Sequence, residues 1–149
     1  MEYVGCASEQ AGCIFCMAVE GKKDFVLSAT DHVVILLNKY PYTTGHLMVS
    51  PFRHVPDLES MRDDELCRLI AAVQRCEAVV KREYRPQGMN VGLNLGCCAG
   101  AGMPGHVHVH VVPRWVGDSN FMPVVGDVRV LPESLERTFE RLKPHFEAP

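Results

Sequence analysis

No stretch of this chain is apolar for the length a bilayer demands, and Met1 to Gln10 lacks the basic-then-apolar order of a secretory leader. A cytoplasmic protein without a membrane partner is therefore expected. Charge of one sign is lacking too: 15 Lys and Arg stand against 18 Asp and Glu, for a formal net charge of −3. Bulk electrostatics then offers no pull toward DNA or RNA, and no nucleic-acid partner is expected. Aromatics are sparse at 7%, with one tryptophan, Trp115, equally suited to stacking on a base or packing at a subunit interface. Internal repeats and low-complexity segments are missing, which excludes solenoids and arrays. A disulfide framework is not indicated either, because seven cysteines are an odd count and Cys97 and Cys98 are adjacent, as suits reduced thiols.

The 149 residues, 47% hydrophobic and 22% charged, are enough for one domain with a real core. A single domain over 1–149 is expected, with 1–12 as an N-terminal arm. Within it, Gly105-His106-Val107-His108-Val109-His110-Val111-Val112-Pro113-Arg114 organises the rest. Histidine and valine alternate there, and β-branched residues at period two read as a strand with the imidazoles on one face and the valines on the core face. Imidazoles about 7 Å apart along such a strand can act as nucleophile, acid, base or metal ligand. Just before it, four glycines in the ten residues Gly96 to Gly105 mark a loop whose backbone approaches something closely. Backbone N–H groups freed by glycines make an anion-binding concavity, so loop and histidines together suit a phosphate ester or anhydride.

The other elements support this strand. Phe25 to Ala29, the apolar run Val33 to Asn38, His46 to Ser50 and Asn90 to Asn94 read as strands. Leu66, Leu69, Ile70, Val73, Cys76 and Val80 recur at helical steps between Arg62 and Tyr84, with Asp63, Asp64 and Glu65 at the start and Lys81, Arg82 and Arg85 at the end, as the helix dipole favours. Val124 to Val130 reads as a short strand or hairpin arm. Glu133 to Phe146 reads as a second helix with Leu135, Phe139, Leu142 and Phe146 as its stripe. The expected class is α+β: an antiparallel sheet with one long helix and a C-terminal helix, the helices covering one face. Cys13-Ile-Phe-Cys16 has the gap of a metal knuckle or a redox pair.

His106-Val107-His108-Val109-His110-Val111-Val112 resembles, position by position, the His-φ-His-φ-His-φ-φ motif of the histidine-triad (HIT) nucleotide hydrolases and transferases. Asn38, Gly45-His46-Leu47-Met48-Val49 and Asn94-Leu95-Gly96 also fall where that family has nucleotide-site segments. Asn90 to Asn94, Pro113-Arg114-Trp115 and Gly117 to Met122 are similar to its bacterial diadenosine tetraphosphate hydrolase and phosphorylase branch. The resemblance implies that His108 attacks an α-phosphorus to form a nucleotidyl-imidazole, that His110 holds His108 by a hydrogen bond and stabilises charge, and that His46 orients the triad. It implies a nucleotide site of Asn38, Leu37, Asn94, Gly102, Met103, His108 and His110, a purine nucleotide or dinucleoside polyphosphate as ligand, and a homodimer. The polyphosphate leaves room for an accompanying Mg2+ or Mn2+. Relatives with a Cys-x-x-Cys and a Pro-x-x-His segment bind zinc, which here implies Cys13, Cys16, His54 and His106 as a closed structural site.

Alternatives stand beside each assignment. Asn38 can serve only to cap a turn, His46 and Asn94 can be structural, and Leu36 and Leu37 can be plain core. Where relatives place a glutamine or serine before the triad, Gly102-Met103-Pro104-Gly105 supplies no such side chain. That leaves hydrolysis of nucleoside phosphoramidates, or a non-catalytic nucleotide- or zinc-binding module, as rival readings.

Overall fold

The computed structural model describes residues 12–118 and 132–147. The expected arm at 1–12, all but its last residue, and the expected Val124–Val130 element lie outside them. Chain order is α1 (Ile14–Val19), β1 (Val26–Ala29), β2 (Val33–Leu37), β3 (Leu47–Pro51), α2 (Asp63–Tyr84), β4 (Gly88–Leu93), β5 (Val109–Arg114) and α3 (Leu135–Leu142). All strand pairs are antiparallel, in the order β1-β2-β3-β5-β4. The α+β expectation holds.

Alternation in the strands sorts the interior into two layers. Ile35, Leu37, Leu47, Val49, Val109 and Val111 face α2, packing with Leu69, Val73, Cys76 and Val80 and, from α3, Leu142. Val34, Leu36 and Met48 face the other way, against Phe15 and Ala18 of α1. Here the structure corrects the sequence reading, since helices cover both faces. A helix of six residues carries too few periods to be read from sequence, and α1 depends on tertiary contacts rather than on its own length.

The histidine segment also differs from expectation, because regular pairing begins only at Val109. The β3–β5 register pairs Leu47 with Val111 and Val49 with Val109, which sets Val107 opposite Pro51. Proline has no N–H to give, so the ladder breaks there. Val107 N–H instead donates to Val55 O at 2.7 Å, keeping the segment extended over the chain that leaves β3.

That leaving chain is fixed by an ion pair. Arg53 donates to both oxygens of Glu65, at 2.9 and 2.7 Å, and Arg62 N–H closes the start of α2 on Glu65 at 2.9 Å. Hydrogen bonds from Arg53, then from Arg62, hold the Glu65 carboxyl down at about 2. Its contribution to stability is therefore present above the unfolded value near 4.3 and is lost as pH falls toward about 2. Glu65→Gln is expected to cost about 1–2 kcal/mol. It should also flatten the fall of Tm between roughly pH 4.5 and 2; a variant that melts like the wild type at both ends of that range would refute the assignment. Cys13, Cys16, Cys67, Cys76 and Cys98 carry free thiols. Cys97 is disulfide-bonded, so the expectation of reduced thiols does not hold for it.

Candidate functional site

On the α1 face of the sheet, four chemically alike donors converge. Cys13 sits at the start of α1, Cys16 one turn on, His54 in the connection after β3 and His106 ahead of β5, and their ligand atoms lie within 4.8 Å of one another. Sulfur to imidazole Nδ1 distances are 3.2 Å for Cys13 to His106, 3.3 Å for Cys16 to His54 and 3.8 Å for Cys16 to His106. A tetrahedral zinc with Zn–S near 2.3 Å and Zn–N near 2.05 Å places such atoms roughly 3.6 Å apart. The edges of the cluster bracket that value.

The proton positions agree. His106 Nε2 meets the Pro51 carbonyl at 2.9 Å, and a carbonyl only accepts, so Nε2 carries the proton and the Nδ1 lone pair faces the thiols. Burial, followed by the thiol of Cys13, pushes Cys16 up to about 11, and burial outweighs the Pro51 hydrogen bond to bring His106 down to about 4. A Cβ on Gly105 would stand 3.4 Å from His54 Nε2, an ordinary contact distance, so the residue before the triad lies directly against His54.

The remaining imidazoles form a second, connected set. His108 Nδ1 lies 2.9 Å from the carbonyl of His106 and so carries its proton there, which leaves Nε2 as a lone pair. His46 Nδ1 accepts from Tyr42 N–H at 3.1 Å, with Asn38 Nδ2 at 3.5 Å. His46 Nε2–H consequently donates to His110 Nδ1 at 2.9 Å, and His110 presents Nε2–H outward. Burial, then the charge of His108, holds His110 down at about 4, and burial lowers His108 as well, so these two imidazoles are neutral near pH 7. The hydrogen bond expected from His110 to His108 is replaced: the two rings meet edge to face at 4.9 Å, and the His106 carbonyl fixes His108. Phe15 packs on both His106 and His108, at 5.1 and 5.0 Å, so α1 links the two sets.

The other expected site residues divide. Asn38 Oδ1 caps the following turn through Tyr40 N–H at 2.9 Å, while its amide points at His46, so the turn-capping alternative and a place beside the triad are both realised. Asn94 reaches Gly100 O at 3.5 Å across the glycine-rich loop, which includes a 3-10 turn at Cys97–Ala99. Gly102 is exposed, and Met103 packs partly against the α1 layer. Leu37 is a correction. It is buried among the residues facing α2, and its neighbour Leu36 takes the triad side, because adjacent strand residues point to opposite faces. Trp115 is half-buried, its backbone N–H donating to Asp118 Oδ2 at 3.0 Å. Sequence reasoning missed Phe15 and Tyr42; their signals were an aromatic between the two cysteines and another in the loop four residues before His46.

Fold and site together define an architecture of the histidine-triad kind. The sequence profile of the HIT domain matches residues 20–116, and the chain belongs to that family. It is 50% identical over 106 residues to an AP-4-A phosphorylase of Mycobacterium tuberculosis, covering 71% of this chain and 54% of that protein, so it spans about half the relative's length. Among solved structures it is similar to a zinc-bound histidine triad family protein from Mycobacterium smegmatis, with TM-score 0.72 and 26% identity over 91% of this chain and 93% of that one. A HIT-like protein from Bartonella henselae, at TM-score 0.74 and 21% identity over 90% and 96% of the chains, shares the fold.

Proposed function

We propose that this chain cleaves the α-phosphate linkage of dinucleoside polyphosphates of the diadenosine tetraphosphate type through a nucleotidyl-His108 intermediate. The observation that carries the reading is the hydrogen-bonded order of the imidazoles, which leaves His108 Nε2 as a lone pair and His110 Nε2–H as a donor. The His108 Nε2 pair forms a bond to the α-phosphorus, and the P–O bond to the leaving polyphosphate breaks with its electrons on oxygen. As positive charge grows on the ring, Nδ1–H is held by the His106 carbonyl, and His110 Nε2–H donates to a non-bridging oxygen. Water or phosphate then attacks phosphorus and returns the pair to Nε2. In this reading Asn38 takes the nucleoside, and Asn94 and the loop to Gly105 take the phosphates.

Cys13, Cys16, His54 and His106 would hold a structural zinc, whose four-ligand shell leaves no position for substrate. Its role is to tie α1, and with it Phe15, to the triad strand. A homodimer is supported by the position of β4 at the sheet edge among the described residues, where Val91 is exposed, and by exposed Ile70 on α2. Among the described residues no helix is long and apolar enough to cross a membrane; the cytoplasm is the compartment proposed.

The deciding experiment is product analysis of diadenosine tetraphosphate incubated with the protein, with and without inorganic phosphate. ADP formed only with phosphate identifies a phosphorylase, and AMP with ATP in its absence a hydrolase. Neither product would overturn the reading and move phosphoramidate hydrolysis forward.

A further inference from the structure

One residue touches the His46–His110 pair with both its backbone and its side chain. Tyr42 gives its N–H to His46 Nδ1 at 3.1 Å, and its ring lies 4.7 Å from the His46 ring and 6.1 Å, nearly parallel, from that of His110. The ring is nevertheless half open to solvent, at 51%. An exposed aromatic side chain laid on two imidazoles keeps the loop that carries it pressed to the strand. Pro41 before it and Thr43 after it, whose hydroxyl donates to Pro113 O at 2.7 Å, restrict the same turn.

The consequence is electronic as well as steric. A neutral imidazole has one N–H and one lone pair, so whichever partner meets Nδ1 decides what Nε2 does. While Tyr42 N–H faces His46 Nδ1, His46 must donate through Nε2, His110 must accept at Nδ1, and His110 Nε2 must carry a hydrogen. If the Tyr42 amide moves away, the other donor recorded at His46 Nδ1 among the described residues is Asn38 Nδ2, at 3.5 Å and so weaker. The opposite order then becomes accessible, with His46 Nδ1 protonated and His110 Nε2 a lone pair that repels phosphate oxygen.

We propose that Tyr42 is a positioning residue whose stacked ring holds its own amide on His46 and thereby fixes His110 as an Nε2–H donor. The inference rests on the nucleotidyl-transfer reading of the triad for its kinetic part only; the proton order is a property of the protein without substrate.

The test compares full-length wild type, Tyr42→Phe and Tyr42→Ala. In each, the 15N resonances of His110 and the kcat and KM for diadenosine tetraphosphate would be measured. Wild type and Tyr42→Phe should show a protonated Nε2 on His110 and agree in kcat within about twofold, because the ring and not the hydroxyl makes the contact. Tyr42→Ala should show His110 in mixed tautomers and lose roughly 10- to 100-fold in kcat, with KM within about threefold. Should the alanine variant not fold, Tyr42→Leu, which keeps apolar bulk without a flat face, carries the same expectation. A raised KM at unchanged kcat would make Tyr42 a ligand contact and overturn the proposal, as would an unaltered His110 signature in the alanine or leucine variant. If wild type does not turn over the dinucleotide, the functional reading fails, and the 15N signatures still decide the role of Tyr42.

Discussion

His108→Ala is expected to lower turnover of diadenosine tetraphosphate by on the order of 10^4-fold or more, the scale on which enzymes lose a covalent nucleophile. Nucleotide affinity should change only a few-fold, since the proposed binding is spread over the Asn38 region, the glycine-rich loop and His110. Among the described residues His108 makes one polar contact, Nδ1–H to the His106 carbonyl at 2.9 Å, and its ring packs between Phe15 and His110. Truncation leaves a small apolar gap and frees one carbonyl, so a stability loss of about 1–3 kcal/mol is expected. That loss is measurable by melting and is far too small to explain a 10^4-fold effect on a folded enzyme. Turnover by the alanine variant within tenfold of wild type would exclude His108 as nucleophile.

The second large effect concerns the metal. Elemental analysis of the purified protein should find about one zinc per chain, and Cys13→Ser should abolish it. A site at a thousandfold excess of metal over Kd contributes about 4 kcal/mol. For a domain of this size that corresponds to roughly 8–16 °C in Tm, so chelation or the serine substitution should lower the melting temperature by that amount. The size of the effect follows from the architecture: α1 is six residues long, lacks a side-chain cap, and is fastened by Cys13, Cys16 and the packing of Phe15 and Ala18. Its detachment would uncover the rings of His106 and His108. A zinc-free protein whose melting temperature does not respond to chelator or to Cys13→Ser would sink the assignment.

Much of this could be read before any coordinates. The His-Val alternation carried the chemistry, because period two separates imidazoles from valines whatever the rest of the chain does. The 22-residue helix was legible from six apolar positions with matching end charges, since a helix of that length repeats its pattern enough times to be unmistakable. Cys13 and Cys16 declared a metal or redox function by spacing, and the family resemblance paired them with His54 and His106, four donors that the fold does bring together.

Other features had no local signature. The alternation predicts one strand from Gly105, yet the ladder stops where Pro51 falls opposite Val107, a fact of register between residues 56 apart in sequence. Leu37 was assigned to the nucleotide site and Leu36 takes the triad face instead, because a shift of one residue exchanges the two sides of a strand. The sequence by itself determined which groups are present and that imidazoles would share a face. The tertiary structure decided which nitrogen of each imidazole holds its proton, since that follows from distant partners: the Pro51 carbonyl for His106, the Tyr42 amide for His46, and His46 for His110. A ring with two equivalent-looking nitrogens has its chemistry assigned by whatever the fold places against each one.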